Sequence, residues 1–311
     1  MTNETTIRKI VDNILLNASS VNSSGLYNGK AGMALALFEA ARYLKDDGIE
    51  EKAFNLFQES LIRTEKSNDL SFENGLSGIG HTLIYLITNQ FLDADFDEIF
   101  KSQSEKIIND FKDIDKSPQR LLNFSTVIYF LSVLKNIHRE NETIHQIIEK
   151  IFQGMELYLS LQFFDWKDLN YINKKKDVLQ TFETYLKLVS FAKYTDFSNY
   201  LVSSYCDLYR ENRIASSLST GYYLRQIMQQ SGITKYKDVI ENHINYGSKN
   251  IHPELQSLEQ SLETAKILDN NSVVDANPQL TKLMSGGENF GYRNGLSRYL
   301  IFLVNKKAVL L

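Results

Sequence analysis

Residues 25–32, Gly25-Leu26-Tyr27-Asn28-Gly29-Lys30-Ala31-Gly32, and residues 72–80, Phe72-Glu73-Asn74-Gly75-Leu76-Ser77-Gly78-Ile79-Gly80, decide the architecture. In each, an asparagine precedes a glycine, a second glycine follows three residues later, and an apolar run begins at once. The two asparagines stand 46 residues apart. A motif returning at that interval reads as an internal repeat, with one helical unit per copy.

A third copy, Arg293-Asn294-Gly295-Leu296-Ser297-Arg298-Tyr299-Leu300, keeps the first glycine and carries Arg298 in place of the second. Asn294 lies 220 residues beyond Asn74, or five periods of 44. Intermediate copies are therefore expected, and three weak ones can be read: Leu122-Asn123-Phe124-Ser125, Leu179-Gln180-Thr181, and Ser216-Ser217-Leu218-Ser219-Thr220-Gly221. Between about 232 and 279 no copy can be read. Eleven of the fifteen glycines (Gly25, Gly29, Gly32, Gly75, Gly78, Gly80, Gly221, Gly286, Gly287, Gly291 and Gly295) fall in such segments.

The runs between these segments have helical periodicity. Over Asp95 to Asp113, Asp95 and Glu98 form a capping pair, and Phe96, Ile99, Phe100, Ile107, Ile108 and Phe111 form one apolar stripe. Met33–Leu44 and Ile79–Ile87 are apolar or small on most faces, as suits helices surrounded by helices. Only three prolines interrupt the 311 residues. The fold class is all-α, with inner and outer helices alternating.

Composition narrows the function. With 43% hydrophobic and 23% charged residues the chain can bury a core. A formal charge of −4, mixed along most segments, leaves no footprint for nucleic acid. Lys174-Lys175-Lys176, after the aromatic stretch Phe163 to Tyr171, reads as a solvated loop. No apolar run reaches the roughly 18 residues of a membrane span, so no membrane partner and a cytoplasmic location are expected. Cys206 is the only cysteine, which rules out an internal disulfide and a thiolate-rich metal site.

Glycine pairs three residues apart, each leading into an inner helix and recurring about every 45 residues, resemble the lanthionine synthetase C-like family. The resemblance implies an α/α toroid of nested helices, one domain over residues 1–311. It also implies a zinc ion held by two cysteines and a histidine, from Trp-Cys and Cys-His-Gly segments, which activates a substrate thiol for addition to a dehydroamino acid. This sequence departs from that pattern. The Trp-Cys position falls near Ser216 and Ser217, no Cys-His pair exists, and no histidine is followed by glycine. Serine hydroxyls are poor zinc ligands. No metal and no cofactor are therefore expected.

In a toroid the glycine loops would gather helix N-termini at one end, where free N–H groups favour polar ligands. The candidate substrate-binding residues there are Glu73, His81, Arg293, Arg298, Asn28, Asn74 and Asn294. Each has a plainer reading. The asparagines, with Asn123 as a fourth, suit capping of the following helix. Glu73 suits its own helix N-terminus, the arginines an inner carboxylate, and His81 a satisfied structural role. Asp165-Trp166-Lys167-Asp168 pairs carboxylates as a carbohydrate-active toroid could use them, and an exposed loop explains it as well. Cys206, inside the helical run Phe197 to Tyr209, reads as a buried spectator.

The expectation is a peptide-binding recognition or scaffold component of lanthipeptide-type modification, partnered by a peptide or a modifying enzyme. The alternatives are a zinc-independent peptide-modifying cyclase or lyase and, further off, a carbohydrate-active toroid.

Overall fold

The computed structural model describes residues 3–112, 118–169, 172–285 and 289–306. Asp113, Tyr171, Gly286 and Gly287, singled out above, lie outside them. Among the described residues there are helices and no strands, in keeping with the all-α reading. In chain order these are α1 (Asn3–Asn17), α2 (Lys30–Leu44), α3 (Asp47–Ile62), α4 (Leu76–Thr88), α5 (Phe96–Lys112), α6 (Pro118–Asn123), α7 (Val127–Ile137) and α8 (Glu142–Phe164). They continue as α9 (Ile172–Ala192), α10 (Asn199–Arg210), α11 (Leu218–Ser231), α12 (Lys237–Lys249), α13 (Leu258–Leu268), α14 (Ser272–Asp275), α15 (Pro278–Met284) and α16 (Leu296–Val304). None is long and apolar enough to cross a membrane.

Two compact units result: residues 1–110 with 252–311, and residues 111–251. In the first, α4, α2, α16 and α13 pack successively side by side. Residues 30–41 of α2 are all buried, as a helix with neighbours on every side requires. Burying Leu37 or Phe38 contributes about 2 kcal/mol each. The helix ends at Lys45 in the left-handed conformation, and Asp46 then caps α3 through Ile49 N. α3 covers α2 with one apolar face of Ile49, Ala53, Leu56 and Phe57.

The contact of α2 with α16 brings the first and last readable copies together. The contact of α16 with α13 supplies the copy that could not be read between 232 and 279. It lacks glycine because Ser257 starts α13 through a capping box with Gln260.

Asp95 caps α5 as expected, accepting from Asp97 N (2.8 Å) and Glu98 N (3.1 Å). Phe96, Phe100, Ile107 and Phe111 are buried, whereas Ile99 is exposed at 37%.

In the second unit α7, α9 and α11 pack in one row, and α8, α10 and α12 in another. Ser217 starts α11 where the sequence placed a copy. Leu179-Gln180-Thr181 does not begin a helix, because α9 runs unbroken from Ile172 to Ala192. Phe152 stacks on Tyr194 at 4.3 Å and Phe182 on Tyr205 at 4.3 Å, so aromatic rings form much of this core.

Candidate functional site

Three of the helices that pack together in the first unit begin in the same way. Gly29, Gly75 and Gly295 are the N-caps of α2, α4 and α16, all with extended backbone and none with a side chain to cap with. In each copy the first helical amide turns back on the loop seven residues earlier: Lys30 N to Ser23 O (3.0 Å), Leu76 N to Asp69 O (2.8 Å), Leu296 N to Asn289 O (3.1 Å). This bond satisfies a helix-start donor that lacks an intrahelical partner. The expected asparagine caps are therefore absent: the glycine one residue later takes that place.

The loops are also tied to each other by equivalent bonds. Arg293 N donates to Tyr27 O (3.2 Å), and Tyr27 N donates to Glu73 O (2.7 Å); Tyr292 N shares the Tyr27 carbonyl (2.6 Å). Such close approach needs glycine. A β-carbon at Gly25 would lie 2.3 Å from Asn74 Cα, and one at Gly291 would lie 2.4 Å from Tyr27 O. The second glycines meet their own loop instead, with a β-carbon at Gly32 or Gly78 falling 2.0 Å from Leu26 O or Phe72 O.

The predicted site residues divide on this frame. Arg293 and Arg298 converge on Glu259, the second residue of α13, with Nε to Oε2 at 3.2 Å and Nη1 to Oε1 at 2.9 Å. Arg298 is 4% exposed, and its guanidinium stands over the Tyr292 ring. Burial pulls its pKa down, while Glu259 and Tyr292 more than restore it. Arg293 is half exposed and lies over the Tyr27 ring. Asn294 accepts from Glu259 N (3.0 Å) and so serves α13, not the helix that follows it. These three residues form one structural cluster with a glutamate that the sequence reading did not single out.

His81 is buried against Phe72, ring centroids 5.3 Å apart and edge to face. Asn28 and Asn74 are exposed and Glu73 is half-buried. Lys30, the other charge at these helix starts, pairs with Glu59. Among the described residues, Asn28, Glu73 and Asn74, on two loops joined through Tyr27 N, are polar side chains open to a ligand at this end.

The second unit contains the serines that fall where zinc ligands would. Ser217 Oγ accepts from Thr220 N (3.3 Å) to cap α11, and stands 3.4 Å from Glu183 Oε2. Ser217 N donates to His243 Nδ1 (2.9 Å), which puts the histidine proton on Nε2, 3.3 Å from the Tyr205 hydroxyl. Ser216 Oγ bonds the Tyr209 hydroxyl at 2.8 Å. His243 is fully buried, and burial lowers its pKa to about 4. Cys206 is buried on α10, and burial pushes its thiol up to about 12. Both hydroxyls are engaged, the imidazole nitrogens are turned to protein partners, and the thiol is held neutral. This donor set does not fit zinc, which takes thiolates and imidazole nitrogens. Among the described residues no three His, Cys, Asp or Glu side chains are grouped so as to hold a metal ion.

Asp165 and Asp168 are exposed on a turn closed by Asp168 N to Asp165 O (2.9 Å), while Trp166 is buried beside Phe163. The tryptophan thus offers no open ring face to a sugar.

Residues 2–127 match the family model described as lanthionine synthetase C-like protein. The match takes in the first two glycine loops and ends before Ser216 and Ser217. No curated protein matches the chain.

Proposed function

We propose that this chain, whose residues 2–127 match the lanthionine synthetase C-like family model, binds a peptide at its glycine-loop end. It would serve there as a recognition or scaffold component of lanthipeptide-type modification, without zinc cyclase chemistry. The observation that carries the reading is the state of Ser217. Its hydroxyl caps α11 and its amide is held by His243, so the position implied for metal binding is built into the helix start.

At the loop end the backbone is rigidly bonded from copy to copy, which suits binding without reorganisation. The exposed amides of Asn28 and Asn74 can pair with peptide N–H and C=O groups. Glu73 favours a basic side chain or a free amine. Arg293 would meet a ligand carboxylate only by leaving Glu259.

The test is selection of displayed peptides on the full-length protein, followed by titration against the triple variant N28A/E73Q/N74A. The proposal expects the selected peptides to lose about tenfold or more in affinity, roughly 1.4 kcal/mol, with the helical circular dichroism unchanged. Equal affinity for both proteins would contradict it.

A further inference from the structure

A separate recess in the second unit carries unused polar groups. Its cavity of about 290 Å³ is lined by the last turns of α7, the first half of α8 and the chain that leaves α9. That volume sits at the small end of ligand sites, about 300–1,000 Å³. Ser132 on α7 lines it with an Oγ that is buried and has no hydrogen-bond partner. A helical serine ordinarily returns its hydroxyl to the carbonyl four residues earlier. Here it does not, and a buried donor without a partner is uncommon.

The rest of the lining is charged and balanced. Lys135 and Lys193 supply two cations, Glu149 and Asp196 two carboxylates, and His145 stands with them. Elsewhere in this unit charges do pair, as Lys187 with Glu183 and Arg210 with Asp238. None of these recess groups has a hydrogen bond or ion pair with another described residue. Lys193 holds the left-handed conformation (φ 50°) that ends α9, with Tyr194 N returning to Val189 O (3.0 Å). The last carbonyls of α9 therefore add a negative end to the recess. Tyr194 packs flat on Phe152, and its hydroxyl is pushed up to about 12 by burial, then by Glu156, Asp196 and Glu149.

We infer that this recess binds a small zwitterion of the size of a free amino acid. Its ammonium is taken by Glu149, Asp196 and the end of α9, and its carboxylate by Lys135 and Lys193, with Ser132 Oγ donating from the floor. An anion alone would face two carboxylates, and a cation alone two lysines. Only a ligand with both charges uses the whole lining.

The experiment is isothermal titration of the full-length protein with the free L-amino acids, and with the N-acetyl and methyl-ester forms of any that bind. Inorganic phosphate and calcium are titrated alongside. Binding of a free amino acid, lost about tenfold or more when either end is blocked, is the expected result. K193M is expected to weaken the free amino acid while leaving its ester unchanged, and E149Q to do the same for the N-acetyl form. Both positions are exposed, so folding is retained. Failure of every free amino acid to bind would overturn the inference, as would phosphate or calcium binding equally well.

Discussion

The glycine-capped and serine-capped helix starts solve one problem in two ways. At α2, α4 and α16 the loops fold so tightly, on themselves at Gly32 and Gly78 and on one another at Gly25 and Gly291, that a β-carbon there would strike backbone 2.0–2.4 Å away. At α11 and α13 the caps are Ser217 and Ser257, whose hydroxyls accept from the third helical amide. Glycine marks the starts where backbone meets backbone, and serine those with room for a side chain. The glycines therefore record close backbone approach more than helix initiation, between loops at Gly25 and Gly291 and within one loop at Gly29, Gly32, Gly75, Gly78 and Gly295.

The largest test of this contrast is G78A. Its β-carbon would fall 2.0 Å from Phe72 O, and neither the helix nor the loop can yield cheaply. A loss of about 3 kcal/mol or more in urea unfolding is expected. A loss under about 1 kcal/mol would place residue 78 further from the Phe72 carbonyl of its own loop than described.

Next comes the serine-capped start and its histidine. His243 titrates near 4 in the folded protein against about 6.5 unfolded, so between these values the unfolded chain binds more protons. Stability therefore rises with pH across that window, is complete above it, and is lost as pH falls through 4. The full difference is about 3 kcal/mol. Urea titrations at several pH values on the wild type and H243F check this: the variant should lack that part of the slope, and an unchanged slope would assign it to other groups.

The two arginines on Glu259 differ in burial. R298A removes a buried guanidinium and leaves Glu259 with one partner, an expected cost of about 3 kcal/mol, whereas R293A removes an exposed partner and should cost under about 1 kcal/mol. Thermal unfolding of the two single variants settles the order. The smallest effects belong to the caps themselves. S217A should cost about 1 kcal/mol and S217G a few tenths, because glycine is a tolerated N-cap.

The same contrast explains what could be read from sequence. Three copies were legible because a backbone clash admits only glycine at Gly25, Gly29, Gly32, Gly75, Gly78, Gly291 and Gly295. The copy at α13 was not, because Ser257 with Gln260 does the work of Gly29 with unrelated residues. Leu179-Gln180-Thr181 misled because a polar dip inside α9 looks like a boundary when no breaker is present. In the site, the type of partner foreseen for the arginines was right and its identity hidden. Glu259 lies 34 and 39 residues before them, on a helix with no readable start. His243 was equally hidden, since its bond to Ser217 N spans 26 residues and follows no local rule. Periodicity and backbone constraint are local and visible, whereas side-chain pairing across helices is set by packing.

The proposed function without zinc cyclase chemistry is checked by metal content. Full-length protein, untagged and purified without chelator, is analysed for zinc by plasma mass spectrometry after circular dichroism has shown it folded. The serine-capped start of α11 predicts zinc far below one per chain, unchanged in S217A. One tightly held zinc per chain would contradict the account and require ligands other than those at Ser216, Ser217, His243 and Cys206.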